Sequence, residues 1–93
     1  MSEKYSVIEN KLLLLINSLI SLLPEDVISE AIDYAVKYGE YGLALDLVCY
    51  NLYENDLKID KYSLNLLTEL VSFMGIKKER GNYCIFDVIE NNR

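Results

Sequence analysis

The segment from Gly39 to Asp56 most constrains the fold, because it reads as a helix that is apolar on nearly all sides. Its broader apolar face collects six residues at helical spacing: Tyr41, Ala44, Leu45, Val48, Cys49 and Leu52. Leu43 and Leu47 point nearly the opposite way. A helix that is apolar on two sides must be covered on two sides. The sequence therefore predicts a central helix over Glu40–Asn55, packed between the second helix and the first or fourth, with Leu45, Val48, Cys49 and Leu52 in the core.

Two helices are predicted before this central one. Apolar spacing predicts a first helix that ends near Leu22; Ser6-Val7-Ile8-Glu9 fits a capping box, with a start near Ser2 as the alternative. Pro24 fits the first position of a second helix over Pro24–Tyr38, with Tyr38 in its apolar stripe. Gly39 can end this helix in the left-handed conformation, so that the second and third helices form an antiparallel hairpin.

The C-terminal third predicts one clear helix and one ambiguous element. Asp60 is a good N-cap for a fourth helix over Lys61–Met74, with Tyr62 among its apolar positions. Gly75 and Ile76 fit a Schellman cap. A polar turn follows over 77–82, and Tyr83–Ile89 is assigned to a short helix because a lone strand would have no partner. We therefore predict one all-α domain over residues 1–93, a bundle of four or five helices.

The charge of the chain is acidic and unevenly distributed. The net charge is -6, and the part from Glu25 to Glu69 holds ten acidic residues and three lysines, a balance of -7. Such a balance argues against direct binding of nucleic acid and favours basic partners. An ordinary solvated surface would explain the same charge.

The residues that usually carry chemistry are scarce. The chain has no histidine, and Cys49 and Cys84 sit in apolar runs that are typical of buried small side chains in a reducing compartment. Gly39-x-x-Gly42 lacks the Lys-Ser/Thr of a phosphate loop, and the acidic 54–60 segment lacks EF-hand spacing. We therefore expect no catalytic residue, no cofactor and no metal.

Leu12–Leu23 is too short to span a membrane and no cleavage site follows it, so a cytoplasmic protein with no membrane partner is expected.

Tyrosine is the aromatic residue that stands out, with eight tyrosines and no tryptophan. Tyr50 and Tyr53 fall on the same side of the central helix as Asp46, and Glu54 borders that side. Tyrosine is favoured at interfaces because it combines a large apolar ring with a polar tip. Two interpretations stay open: an interface, or rings that cover a gap between helices with their hydroxyls in water.

The run Gly39-Glu40-Tyr41-Gly42-Leu43-Ala44-Leu45-Asp46-Leu47-Val48-Cys49, followed by Leu52-Tyr53-Glu54 and an acidic turn, resembles MafI-type immunity proteins. These are small antidotes of bacteria that deploy polymorphic toxins. The resemblance covers residues 39–60 well and the rest only in layout. It implies an all-helical antitoxin in the bacterial cytoplasm that binds a cognate toxin domain, such as the EndoU-type ribonucleases of Maf and contact-dependent inhibition systems. Tyr50 departs from the family pattern, in which the position after the cysteine is usually acidic.

A ribonuclease site is typically basic because it holds phosphates, so an acidic protein is suited to cover it. The residues proposed to contact the toxin are Glu40, Asp46, Tyr50, Tyr53, Glu54 and Asp56.

Two other functional classes stay open. The Gly-x-x-x-Leu-Ala hairpin also occurs in tetratricopeptide-like adaptors that bind peptides, and the acids could mimic phosphates as in anti-restriction proteins. A toxin gene immediately upstream would favour immunity, whereas a phage early region would favour the mimic.

Overall fold

The structure is a computed structural model that describes residues 3–78 and 83–93. In these ranges it contains five α-helices, one π-helical turn and no strand, in the order α1 (Glu3–Ser18), α2 (Glu25–Ile32), π turn (Asp33–Lys37), α3 (Tyr41–Glu54), α4 (Lys61–Met74) and α5 (Tyr83–Asn91). The all-α prediction is confirmed, including a helix rather than a strand from Tyr83. The predicted helix start at Ser2, and the part of the predicted polar turn over 79–82, lie outside the described residues.

Helix α3 is central, as its two-sided apolar pattern predicts. It packs against α2 and the π turn, against α5 and against α1. The four predicted core residues are all buried: Leu45, Val48, Cys49 and Leu52. Helix α4 packs mainly on α1. The core is therefore built around α3 and the α1–α4 pair.

The bounds and caps of α4 agree with the sequence prediction. The Asp60 carboxylate accepts a hydrogen bond from the Ser63 backbone N–H at 2.8 Å, which is the interaction of an N-cap. Gly75 has a φ of 66°, and the Ile76 N–H donates to the Val71 carbonyl at 3.0 Å, as in a Schellman cap. These two caps fix both ends of the helix.

Helix α1 lacks the predicted capping box and ends earlier than predicted. It begins at Glu3, so Ser6 lies inside the helix and the predicted capping box is wrong. The Glu9 carboxylate instead accepts a hydrogen bond from the Tyr41 hydroxyl at 3.1 Å. The helix ends at Ser18 rather than near Leu22. The Ser18 hydroxyl donates to the Leu15 carbonyl at 2.6 Å, and the chain continues in tight turns that keep Leu19 and Leu23 buried but leave Ile20 exposed.

The first turn of α4 buries a polar residue where an aromatic one was expected. Tyr62 is exposed, and Ser63 takes the buried position. The Ser63 hydroxyl lies 2.7 Å from the Ser18 hydroxyl, so the buried Ser63 oxygen has a hydrogen-bond partner. This pairing fastens the end of α1 to the start of α4.

The π turn explains why Tyr38 is not in the core. Within it, the Tyr38 N–H donates to the Asp33 carbonyl, five residues back, at 3.2 Å. This wider turn rotates the following residues relative to an α-helix, and Tyr38 is 61% exposed instead of joining the stripe that continues through Ala35. Gly39 then adopts a φ of 64° and ends the helix, as predicted.

The connection between α3 and α4 is tied to the end of α5. The Lys58 ammonium donates to the Asn91 carbonyl at 2.8 Å, and the Ile59 N–H donates to the Asn92 side-chain oxygen at 2.9 Å. These bonds hold α5 alongside α3 and so determine what borders the exposed side of α3.

Among the described helices, none is both long and apolar enough to cross a membrane.

A candidate protein-interaction surface on α3

The side of α3 that faces away from the core carries a mixed apolar, aromatic and acidic surface. We call it the α3 outer face; its members are Leu43, Asp46, Leu47, Tyr50, Tyr53 and Glu54. Because α3 is continuous over Tyr41–Glu54, these positions fall on one side at helical spacing. The predicted grouping of Asp46, Tyr50 and Tyr53, with Glu54 at its border, follows from this continuity.

The expectation that α3 would be covered on two sides is met only in part at its outer face, where Leu47 packs against the core. Leu43 is 48% exposed and Leu47 is only half-buried. Tyr50 and Tyr53 are 53% and 44% exposed. The neighbouring α2 and α5 both pack against α3. The result is an apolar and aromatic ridge, formed by Leu43, Tyr50 and Tyr53, that stays about half exposed.

The two tyrosines of the outer face differ from Tyr41 on the same helix. The Tyr41 hydroxyl donates to Glu9, and its ring stacks on Tyr5 with centroids 6.3 Å apart. Burial, followed by the contact with Glu9, raises the pKa of Tyr41. The hydroxyls of Tyr50 and Tyr53, by contrast, make no hydrogen bond to the described part of the chain. Tyr41 therefore has a structural role, whereas Tyr50 and Tyr53 present free polar tips on exposed rings.

Carboxylates border the ridge where α3 meets the start of α5. Asp46 is half-buried, and this burial raises its pKa. Burial also raises the pKa of Cys84 on α5, and the charges of Asp87, Glu54 and Asp46 raise it further. All three acids therefore disfavour ionisation of the Cys84 thiol, Asp46 and Glu54 from α3 and Asp87 from α5. The acidic part of the surface spans two helices.

Asp87 is a member of this acidic group that the sequence reasoning missed. It lies on α5, which reaches α3 only through tertiary packing. Asp87 falls four residues before Asn91, whose carbonyl is bound by Lys58 from the α3–α4 connection. The local sequence carries no signal for this placement, because it depends on how the connection holds α5.

The structure does not group all six predicted contact residues. Glu40 precedes the first turn of α3, and Asp56 follows the last. The helix between them has 14 residues, which corresponds to about 21 Å. Asp56 has a φ of 49°, a left-handed conformation that aspartate tolerates better than most residues. Only Asp46, Tyr50, Tyr53 and Glu54 share the outer face; Glu40 and Asp56 lie at its two ends.

The cysteines and acids do not form a chemically equipped site in the described residues. Cys49 is fully buried, and burial raises its pKa, with smaller contributions from Asp46 and Cys84. A buried thiol that resists ionisation is a poor nucleophile. Cys84 is half-buried and its thiolate is disfavoured by the neighbouring acids. No group of three metal-ligating side chains is present in residues 3–78 and 83–93. What the surface offers is area and charge for contact with another molecule.

Comparison with known proteins yields no match to a protein-family model, to a curated protein or to a solved structure.

Proposed function

We propose that this chain is an immunity protein that binds a cognate secreted toxin and neutralises it. The observation that carries the proposal is the open ridge on α3, which combines half-exposed tyrosines with carboxylates on the central helix of the fold. The resemblance to MafI-type immunity proteins covers the same helix and supplies the class of partner. The toxin class that fits best is an EndoU-type ribonuclease domain, because its site must attract the phosphates of RNA.

The apolar part of the ridge would supply the binding free energy. Leu43, Tyr50 and Tyr53 are about half exposed, so a partner can remove their remaining surface from water without unfolding the chain. Tyrosines at the centre of an interface are frequent hot spots, because they bury a large area with few rotatable bonds. The free hydroxyls of Tyr50 and Tyr53 could also accept hydrogen bonds from basic side chains of a toxin.

The acidic part of the ridge would supply speed and selectivity. Its charges are Asp46 and Glu54 on α3 and Asp87 on α5, two helices that pack against each other. A cluster of one sign attracts a basic surface over several ångströms and raises the association rate, and it disfavours acidic partners. Because α3 and α5 are held by the core, these charges are positioned before the partner arrives. Covering the basic surface or active site of a ribonuclease would exclude RNA.

Tyr50 defines how this chain differs from the family pattern. Where the pattern usually has an acid, a half-exposed aromatic ring is present. A basic toxin residue that pairs with the acid of a relative would lose that partner here. We therefore expect the cognate toxin to offer an apolar pocket or a flat guanidinium at this position, because both pack against a tyrosine ring.

Glu40 and Asp56 have a different role in this scheme. A protein interface of standard size buries about 800 Å² on each partner, which is a patch roughly 30 Å across. Such a patch would cover the length of α3 and place both residues at its rim. Charges at the rim affect the association rate more than the affinity. Changes at Glu40 or Asp56 should therefore weaken binding less than changes on the α3 outer face.

Co-expression with a toxin domain encoded immediately upstream of this gene tests the proposal, and the lack of a toxin gene there would count against it. The toxin domain is placed under an inducible promoter and this chain under a second one. We expect the chain to restore growth after toxin induction and to co-elute with a catalytically inactive form of the toxin. An unrelated toxin of the same class serves as the control for specificity. Continued growth arrest in cells that contain folded, soluble chain, with no co-elution, would refute the proposed function.

A further inference from the structure

The seam between α4 and α5 contains a groove that the proposed toxin surface does not use. It has a volume of about 270 Å³, with an apolar floor formed by Val71, Phe86 and Ile89. The groove exists because α5 packs mainly on α3 and α4 mainly on α1, so the contact between α4 and α5 is less filled. Val71 and Phe86 are only half-buried, so their remaining apolar surface lines the opening.

The charge at this groove is opposite to the charge of the chain. Lys78 and Arg93 border it, and Glu90 is the acid beside them. Glu90 pairs with Arg93 at 3.7 Å, which leaves Lys78 without an ion-pair partner among residues 3–78 and 83–93. Two further clefts are bordered by Lys4 with Glu40, and by Glu25 alone. The groove between α4 and α5 instead has more cations than anions, in a chain with a net charge of -6.

We propose that this groove is a second interaction site, which binds an acidic peptide segment that carries bulky apolar side chains. The apolar floor would hold one such side chain, and Lys78 would pair with a neighbouring carboxylate at the rim. Charge complementarity selects this occupant, because a basic segment would be repelled by the unpaired Lys78 and attracted to the acidic α3 outer face.

The site is separate from the α3 outer face. At helical spacing along α5, Cys84 and Asp87 lie on the flank towards α3, whereas Phe86, Glu90 and Arg93 lie on the flank towards α4. Both surfaces could therefore be occupied at once. This proposal goes beyond the toxin-binding function and does not require it.

The test is a nuclear magnetic resonance titration of the full-length, ¹⁵N-labelled chain. The probe is an acetylated and amidated peptide of sequence Asp-Leu-Glu-Phe-Asp, and its matched control replaces the acids with lysines. We expect saturable shifts of the backbone amides of Val71, Phe86 and Ile89 with the acidic peptide alone. Lys78→Glu should weaken this binding by roughly threefold to tenfold, the effect of losing an exposed ion pair and adding a repulsion. Lys61→Glu, at the other end of α4, makes the same change of net charge and should leave binding unchanged.

Three results would overturn the proposal. One is the absence of shifts at millimolar peptide, and another is an equal response to the lysine peptide. The third is broadening of the groove resonances with protein concentration in the absence of peptide, because it would show that a second copy of the chain occupies the groove. Lys78 is exposed, so its substitution is not expected to disturb folding, and the spectrum of the variant reports this directly.

Discussion

Leu52→Ala tests the packing of α3 most sharply, because the same helix offers a matched control. Leu52 is 1% exposed and lies in the last turn of α3. Removal of the side chain beyond Cβ loses a transfer free energy of about 2–3 kcal/mol, and the residual cavity adds to it. We expect a loss of about 3 kcal/mol in the free energy of unfolding, within the roughly 2–5 kcal/mol range for buried leucines. For a domain of this size the melting temperature should fall by about 12–24 °C.

The control is Leu43→Ala, which is the same chemical change on the same helix. Leu43 is about half exposed, so its loss should cost under about 1 kcal/mol. The assay is urea denaturation followed by far-ultraviolet circular dichroism, with the midpoint and the slope fitted separately. A Leu52→Ala loss no larger than that of Leu43→Ala would refute the placement of α3 at the centre of the core. If Leu43→Ala keeps its stability but rescues growth poorly, it also marks the outer face as a binding surface.

Three further predictions follow from the described contacts. Tyr53→Ala should impair growth rescue more than neutralisation of Asp46 or Glu54 alone, because aromatic anchors dominate hot spots; equal rescue by all three variants would contradict this. The bond from the Ser63 N–H to the Asp60 carboxylate lowers the pKa of Asp60. The stabilisation from this ionised cap is therefore fully present above the unfolded pKa of about 3.9. It is lost as the pH falls through the lower pKa of the folded state. Asp60→Asn keeps the acceptor oxygen but not the charge, so thermal melts should show the advantage of the wild type over this variant shrinking in acid; a constant difference would count against the cap. The purified chain should show no turnover of RNA, esters or phosphates; reproducible turnover that a point mutation abolishes would disprove this.

Local signals were sufficient for the elements that local chemistry controls. Asp60 and Gly75 satisfy backbone groups within one turn of themselves, so both ends of α4 could be located from sequence. The apolar pattern of α3 likewise predicted its four core residues and its central position. The absence of a strand partner correctly predicted that α5 is a helix.

The remaining differences arise from interactions that the local pattern does not contain. The end of α1 depends on Ser18, which pairs with Ser63 across the bundle. The π turn adds one residue to a helical turn, and the apolar spacing before it gives no warning that Tyr38 will rotate out. Asp87 joins Asp46 and Glu54 only because α5 is held against α3.

The candidate surface was predictable in part. Helical spacing groups Asp46, Tyr50, Tyr53 and Glu54 without any structure. Glu40 and Asp56 were grouped with them by charge, although the length of α3 separates them. The exposure of Leu43 could not be predicted, because the apolar pattern favoured a covered side. That exposure is the feature which turns an acidic helix into a candidate binding ridge.

The central claim is that the α3 outer face binds a basic toxin domain, and association kinetics test it most directly. Biolayer interferometry would compare the wild type with a combined Asp46→Lys, Tyr53→Ala, Glu54→Lys variant on the immobilised, inactive toxin domain encoded beside this gene. A variant with Glu30→Lys and Asp33→Lys makes the same number of charge reversals on α2 and the π turn. We expect the outer-face variant to associate at least about tenfold more slowly, with a flatter dependence on salt and a faster dissociation. The α2 control should retain most of the wild-type behaviour. Unchanged kinetics for an outer-face variant that melts like the wild type would contradict the account.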